Sequence, residues 1–270
     1  WMPSGQTNSV ATGLTPGTYT ISVFDFANNS TNTATTVFTS LIPLTGNLNN
    51  VPGVTCNGAS TGTANYTNIS GGSGNQNYLW TNGTNTSTAA APANLAAGTW
   101  SSTVTDALTG CVISNTIVIT QPPALTLTAV ASTPSACAGS SIILTGTNSG
   151  GVPGYSYAWV GGPNSHTFIV SQPVAGTAVF TLNSQDANNC NINTVISVSF
   201  VPNPVLTVLN TSICPLQTGT LYVTGASSYT WNNTAPGNSF TDSPPITTQY
   251  VVVGSAAGCT AVATGSIVLK

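Results

Sequence analysis

The chain has 270 residues, and only 2% of them are charged: Asp25, Asp106, Asp186 and Asp242 stand against Lys270 alone. A typical globular protein is about 25% charged, so this chain has no basic patch to offer nucleic acid or an anionic membrane surface. The 40% apolar content is nevertheless enough for packed cores.

The length suits two to four small domains. No apolar run reaches the roughly 18 residues needed to span a bilayer, so membrane insertion is not expected. No signal peptide is visible. The opening residue is Trp1, not Met, and the chain reads as a mature piece or an internal fragment. Six cysteines are present, none in a CxxC arrangement, and His166 is the single histidine. That set favours disulfides in an oxidising, extracellular setting over a metal site, and no cofactor is expected.

In chain order, residues 1–44 read as the second half of a repeat whose complete form follows. Leu14-Thr-Pro-Gly-Thr-Tyr19 parallels Leu95-Ala-Ala-Gly-Thr-Trp100, and Val23-Phe-Asp25 parallels Val104-Thr-Asp106. Trp1 stands where Trp80 stands. Ser30 holds the place of Cys111. Residues 45–122 are the complete repeat, 123–204 a divergent one and 205–270 a more divergent module. Cys56/Cys111, Cys137/Cys190 and Cys214/Cys259 are 55, 53 and 45 residues apart, and each pair encloses one tryptophan: Trp80, Trp159 or Trp231. One disulfide within each full repeat is the expectation, with the tryptophan plugging the core against it.

Repeat boundaries fall at Pro43, Pro122-Pro123 and Pro202-Asn-Pro204, where proline ends a strand ladder and keeps the backbone extended. Ile117/Ile119, Leu125/Leu127, Ile196/Val198 and Leu221/Val223 alternate with small polar residues at period two, the strand signature. Gly71-Gly72, Asn82-Gly83, Gly150-Gly151 and Gly161-Gly162 supply turns. The fold class expected is all-β, with Ig-like sandwiches in a linear array. The immunoglobulin pattern is only partly met: the second cysteine follows a Val-x-Asp turn, and no tyrosine lies two residues before it.

Cys56 to Gly62 (Cys-x-Gly-x-x-x-Gly), Ser70-Gly-Gly72, Tyr78-x-Trp80, Asn94 to Thr99, Val104-Thr-Asp106, Gly110-Cys111 and Ile119 to Pro122 together resemble the SprB repeat of Bacteroidetes cell-surface proteins. The resemblance covers 46–122 well and 1–44 as a half repeat. Residues 123–204 look like a distant relative, and 205–270 resemble the Ig-like modules found beside such repeats. It implies a very large adhesin exported by type IX secretion, of the kind carried by gliding bacteria.

Asp25, Asp106 and Asp186 end equivalent strands, where a carboxylate can accept N–H bonds from the following turn. Calcium is the rival role, but a hard cation wants six to eight oxygens and each repeat supplies one acid. His166 lies in a loop without a Ser-Asp or Cys partner pattern, and no catalytic set is expected. Trp100 is the best-placed aromatic for a glycan contact. Asn-x-Ser/Thr triplets at Asn28, Asn29, Asn65, Asn68, Asn82, Asn85, Asn210 and Asn232 are frequent in so Asn- and Thr-rich a chain.

Edge strands usually carry lysine, inward charge or proline against unwanted pairing; this chain has almost no charge to use. Neighbouring repeats, identical chains or a surface polysaccharide are the partners expected. Two non-enzymatic readings follow: a stalk and adhesion surface, or a filament subunit whose half repeat is completed by a neighbour's strands. A carbohydrate-binding module is the third. With Lys270 as the one basic residue, prolonged trypsin digestion should leave the chain at full mass on a denaturing gel.

Overall fold

The structure is a computed structural model, and it describes residues 1–49, 53–232 and 234–270. Every regular element among them is a β-strand. The chain divides into two compact units, Trp1–Gln121 and Pro122–Lys270, each described by itself.

In the first unit, β1 (Gly17–Asp25) and β2 (Ser30–Phe38) form an antiparallel hairpin. A bridge from Met2 to Thr20 adds one rung beside β1. A complete two-layer sandwich follows. One layer pairs β3 (Thr45–Leu48) with β4 (Tyr66–Ser70). The other is built from β5 (Gln76–Thr81), β6 (Thr86–Ser87), β7 (Gly98–Asp106) and β8 (Val112–Ile119), in the order β6-β5-β7-β8. Along β7, Trp100, Ser102, Val104 and Asp106 are buried while the residues between them are not, because successive side chains leave a strand on opposite faces. Trp80, Trp100, Val104, Ile117 and Ile119 meet Leu44, Val54, Ala64 and Tyr66 in the core.

The second unit holds two more sandwiches. The first contains β9 (Thr126–Ala131), β10 (Ser135–Cys137), β11 (Ser141–Ser149), β12 (Ser156–Trp159), β13 (Thr167–Ser171), β14 (Gly176–Gln185) and β15 (Asn191–Val201). Its layers are β13-β11-β9 and β10-β15-β14-β12. The second contains β16 (Thr207–Leu209), β17 (Thr211–Ile213), β18 (Gly219–Thr224), β19 (Ser228–Trp231), β20 (Ala235–Pro236), β21 (Ser239–Asp242), β22 (Thr248–Ala256) and β23 (Cys259–Leu269). Its layers are β16-β18-β21 and β17-β23-β22-β19-β20. In both, the opening stretch divides between layers: β9 and β16 pair antiparallel in one, while β10 and β17 run parallel to the last strand of the other. The folds are Ig-like sandwiches.

Cross-strand register ties the copies together. Trp80 lies opposite Ser102, Trp159 opposite Leu182 and Trp231 opposite Val252. Met2 opposite Thr20 puts Trp1 at the same step against Ile21. The three tryptophans are buried, and each packs on a neighbouring ring: Trp80 on Tyr66 at 5.6 Å, Trp159 on Phe168 at 5.8 Å and Trp231 on Phe240 at 5.6 Å.

The cysteine pairing differs from the expectation. Cys137 is bonded to Cys259, in the following sandwich. Cys56 and Cys190 are also disulfide-bonded, whereas Cys111 and Cys214 are free thiols. None of the pairs Cys56/Cys111, Cys137/Cys190 and Cys214/Cys259 is therefore formed. The reason is length. Within one sandwich the first cysteine lies beside the end of the last strand, as Cys137 does opposite Val201, and the second lies at that strand's start, as Cys190 does before Asn191. The 11 residues of β15 extend about 36 Å, and a disulfide cannot bridge Cα atoms more than about 7 Å apart. Truncating a core plug should open one sandwich: Trp231→Ala is expected to cost about 3–5 kcal/mol, read as an earlier first transition in urea.

Candidate functional site

The chemistry-bearing residues gather at the two ends, or poles, of each sandwich. The chain enters at one pole and leaves at the other.

At the entry pole two glycines admit the arriving chain. Gly71 lies under Pro43 and Gly150 under Ala124, so tightly that a Cβ on either would overlap a carbonyl oxygen, and both have positive φ. Gly72 and Gly151 give up their side-chain space to a carboxylate, Asp106 and Asp186 respectively. Asp106 is fully buried. It accepts from the Ser73 N–H at 2.6 Å and hydroxyl at 2.8 Å, and from the Thr109 N–H at 2.8 Å and hydroxyl at 2.7 Å. Asp186 accepts from the N–H groups of Val152, Asn188 and Cys190, each at 2.9 Å. One carboxylate thus ties the hairpin tip carrying the second cysteine to the turn in the opposite layer.

These bonds stabilise the charged form. The Thr109 hydroxyl and then the Ser73 N–H hold the Asp106 carboxyl well below the usual carboxylate range. Burial pushes Asp186 up, but the Val152, Cys190 and Asn188 N–H groups outweigh it and the net shift is downward. Asp25 is lowered by the Ala27 N–H and the Asn28 amide. It caps its own turn, at 2.8 and 2.9 Å, without the cross-layer donor that Ser73 or Val152 supplies elsewhere. The last sandwich lacks the acid: counting from the tryptophan register, Ala256 occupies the place of Asp186, and Ala226 follows Gly225 where Gly151 follows Gly150. Among the described residues no group of three His, Cys, Asp or Glu side chains is placed to hold a metal ion. His166 sits in the loop before β13, its ring 6.2 Å from that of Tyr157.

Trp100 is not a glycan platform. It is 2% exposed and donates its indole N–H to the Ala96 carbonyl at 3.0 Å. Tyr19 makes the same corner, donating its hydroxyl to the Thr15 carbonyl four residues back at 2.9 Å. The period of two running back from Asp106 through Val104 and Ser102 marks Trp100 as inward, and that signal was available in the sequence.

The hairpin of β1 and β2 shows the same inner face without a covering layer. Val23 is 58% exposed where its counterpart Val104 is 0%, and Phe38 is 44% exposed where Ile119 is 1%. Ile21 and Val23 line a hollow of about 710 Å³ with Trp1, Gln6 and Asn8.

No protein-family model matches the chain, and no curated protein does either. Solved structures that resemble it are tandem modules. The three N-terminal domains of the bacteriophage RB49 highly immunogenic outer capsid protein match at 12% identity over 84% of this chain and 98% of that one, with a TM-score of 0.37. Titin domains I67–I69 match at 12% identity over 86% and 100%, with a TM-score of 0.37. Invasin, a bacterial integrin-binding protein, matches at 15% identity over 84% of this chain and 60% of its own, with a TM-score of 0.34.

The depressed carboxylates set a direction with pH. A carboxyl whose folded pKa lies below its unfolded value, about 3.9 for Asp, stabilises fully above that value and loses the contribution as pH falls through the folded one. The thermal midpoint should therefore be flat from neutrality to about pH 4 and fall below it. In Asp106→Asn/Asp186→Asn it should start lower at neutral pH and show a weaker acid fall.

Proposed function

We propose that this chain is a structural and adhesive segment of a large extracellular surface protein of the SprB-repeat type, with no enzymatic role. Its sandwiches act in series as a stalk and present a neutral, hydroxyl-rich surface to neighbouring repeats, identical chains or polysaccharide. The observation that carries this reading is the Cys137–Cys259 bond, which crosses from one sandwich to the next. The bond gives tension a path through sulfur between residues 137 and 259, a sequence separation of 122. The parallel pairs β10–β15 and β17–β23 add resistance, since pulling at the two ends of a sandwich shears all their rungs at once. Disulfides fit an oxidising, extracellular location, and the motif string quoted above supports the family.

A second reading is favoured by the bare inner face of the β1–β2 hairpin: a filament subunit in which a neighbour's strands cover Ile21, Val23 and Phe38. The carbohydrate-binding reading loses its named contact with the burial of Trp100.

Single-molecule stretching of the full chain tests the first reading. Reduction should lengthen the fully extended chain by at least about 400 Å, from 122 residues at roughly 3.5 Å each. Equal lengths with and without reductant would remove the tension role. For the second reading, slow hydrogen exchange of the β1–β2 amides in the isolated monomer would show that no neighbour is needed.

A further inference from the structure

The bonded pair and the two free thiols occupy equivalent places in successive sandwiches. Each sandwich from residue 45 onward has one cysteine at its exit pole: Cys56, Cys137 or Cys214. The same turn follows all three, with Ala59 donating to the Cys56 carbonyl at 3.0 Å, Ser140 to that of Cys137 at 2.9 Å and Gln217 to that of Cys214 at 3.1 Å. The turn sits beside the end of the last strand, through Ala138 N–H to Val201 O at 2.9 Å in one sandwich and Lys270 N–H to Ile213 O at 3.0 Å in the next. The other cysteine, Cys111, Cys190 or Cys259, is at the hairpin tip of the entry pole, at or just before the start of the last strand. Cys137–Cys259 therefore joins an exit pole to the entry pole of the sandwich that follows.

Cys214 is an exit-pole cysteine, exposed and free; Cys111 is an entry-pole cysteine, partly buried and free. We infer that both are open positions of one longitudinal disulfide ladder. Cys214 is the covalent docking point for the hairpin-tip cysteine of a further sandwich of this kind. Cys111 takes the exit-pole cysteine of the layer missing over the β1–β2 hairpin. A separate observation supports the second assignment. In the complete sandwich the chain ahead of β5 supplies Leu44, Val54, Ala64 and Tyr66 as cover for Val104 and Ile119, and the same stretch carries the exit-pole cysteine, Cys56; Val23 and Phe38 lack that cover. The partner's chemistry is fixed by the rule, whether it lies in the same polypeptide or another.

The bond forms by two thiol–disulfide exchanges. The Cys214 thiolate attacks a disulfide oxidant, oxidised glutathione or a dithiol–disulfide oxidase, and one thiol leaves. The partner's tip thiolate then attacks the Cys214 sulfur and expels the second thiol. Two S–H bonds become one S–S bond, and the two electrons and two protons end on the reduced oxidant.

The test is peptide mapping of the protein from its native source, alkylated before lysis and cleaved with pepsin without reductant. Cys214 is expected in a linked peptide whose other half carries a cysteine three to five residues beyond a strand end, as in Asp106 to Cys111, Asp186 to Cys190 and Ala256 to Cys259. Cys111 is expected to be linked to an exit-pole peptide. If the partner is a separate polypeptide, reduction lowers the mass on a denaturing gel; if it is the same polypeptide, the mass is unchanged. Cys214→Ser should abolish that link and leave Cys137–Cys259 in place, which reports that the fold is intact. Cys214 found alkylated, capped by glutathione, bonded to a second Cys214 or bonded to Cys111 of its own chain would overturn the inference.

Discussion

The sandwiches depend on one close approach, where the arriving strand crosses a glycine at the entry pole. A Cβ at Gly225 would stand 1.8 Å from the Val205 carbonyl oxygen, and at Gly150 1.9 Å from that of Ala124. No other residue tolerates that distance, and the positive φ at both positions removes any remaining choice. The crossing fixes where one sandwich hands over to the next. Within the second unit the crossing at Gly225 also sets the hairpin tip that carries Cys259 beside the handover, where it meets Cys137 of the sandwich before it. Beside the first glycine the next residue follows the acid: glycine where Asp106 or Asp186 needs room, alanine where Ala256 has replaced it.

With almost no charge to work with, the poles take their polar character from hydroxyl and backbone donors, and the sheet faces from apolar burial. Some apolar side chains remain outside. Val130, Ile143 and Ile169 lie side by side on the outer face of the β13-β11-β9 layer, each between 45% and 65% exposed. Faces of that kind suit packing against further protein surface better than dispersal in water. Ionic strength has little to screen here, since the near neighbours of Asp106 and Asp186 are dipoles and not counter-charges.

The strands, the turns and the repeat landmarks were legible because they are local. Alternation over four to eight residues marks a strand, and Gly-Gly beside a Val-x-Asp hairpin marks an entry pole. In the β1–β2 hairpin, register puts Trp1, Tyr19 and Asp25 at the steps held by Trp80, Trp100 and Asp106. Cysteine pairing was not legible. In a repeating chain, a bond within a repeat and a bond to the next repeat use the same two landmarks, and spacing does not choose between them. What decides is which pole each cysteine occupies, set by the direction and length of the last strand. Trp100 shows the opposite fault. Its inward phase follows at period two from Asp106, whereas its place near a strand start suggests a surface aromatic.

The cystine between residues 137 and 259 also closes a covalent ring that contains most of two sandwiches. A protease that cuts any one loop inside that ring opens it without releasing a fragment, because both new ends stay attached through sulfur. The exposed loops are where such cuts fall first. The pair of sandwiches can in this way be nicked in either one and keep its continuity.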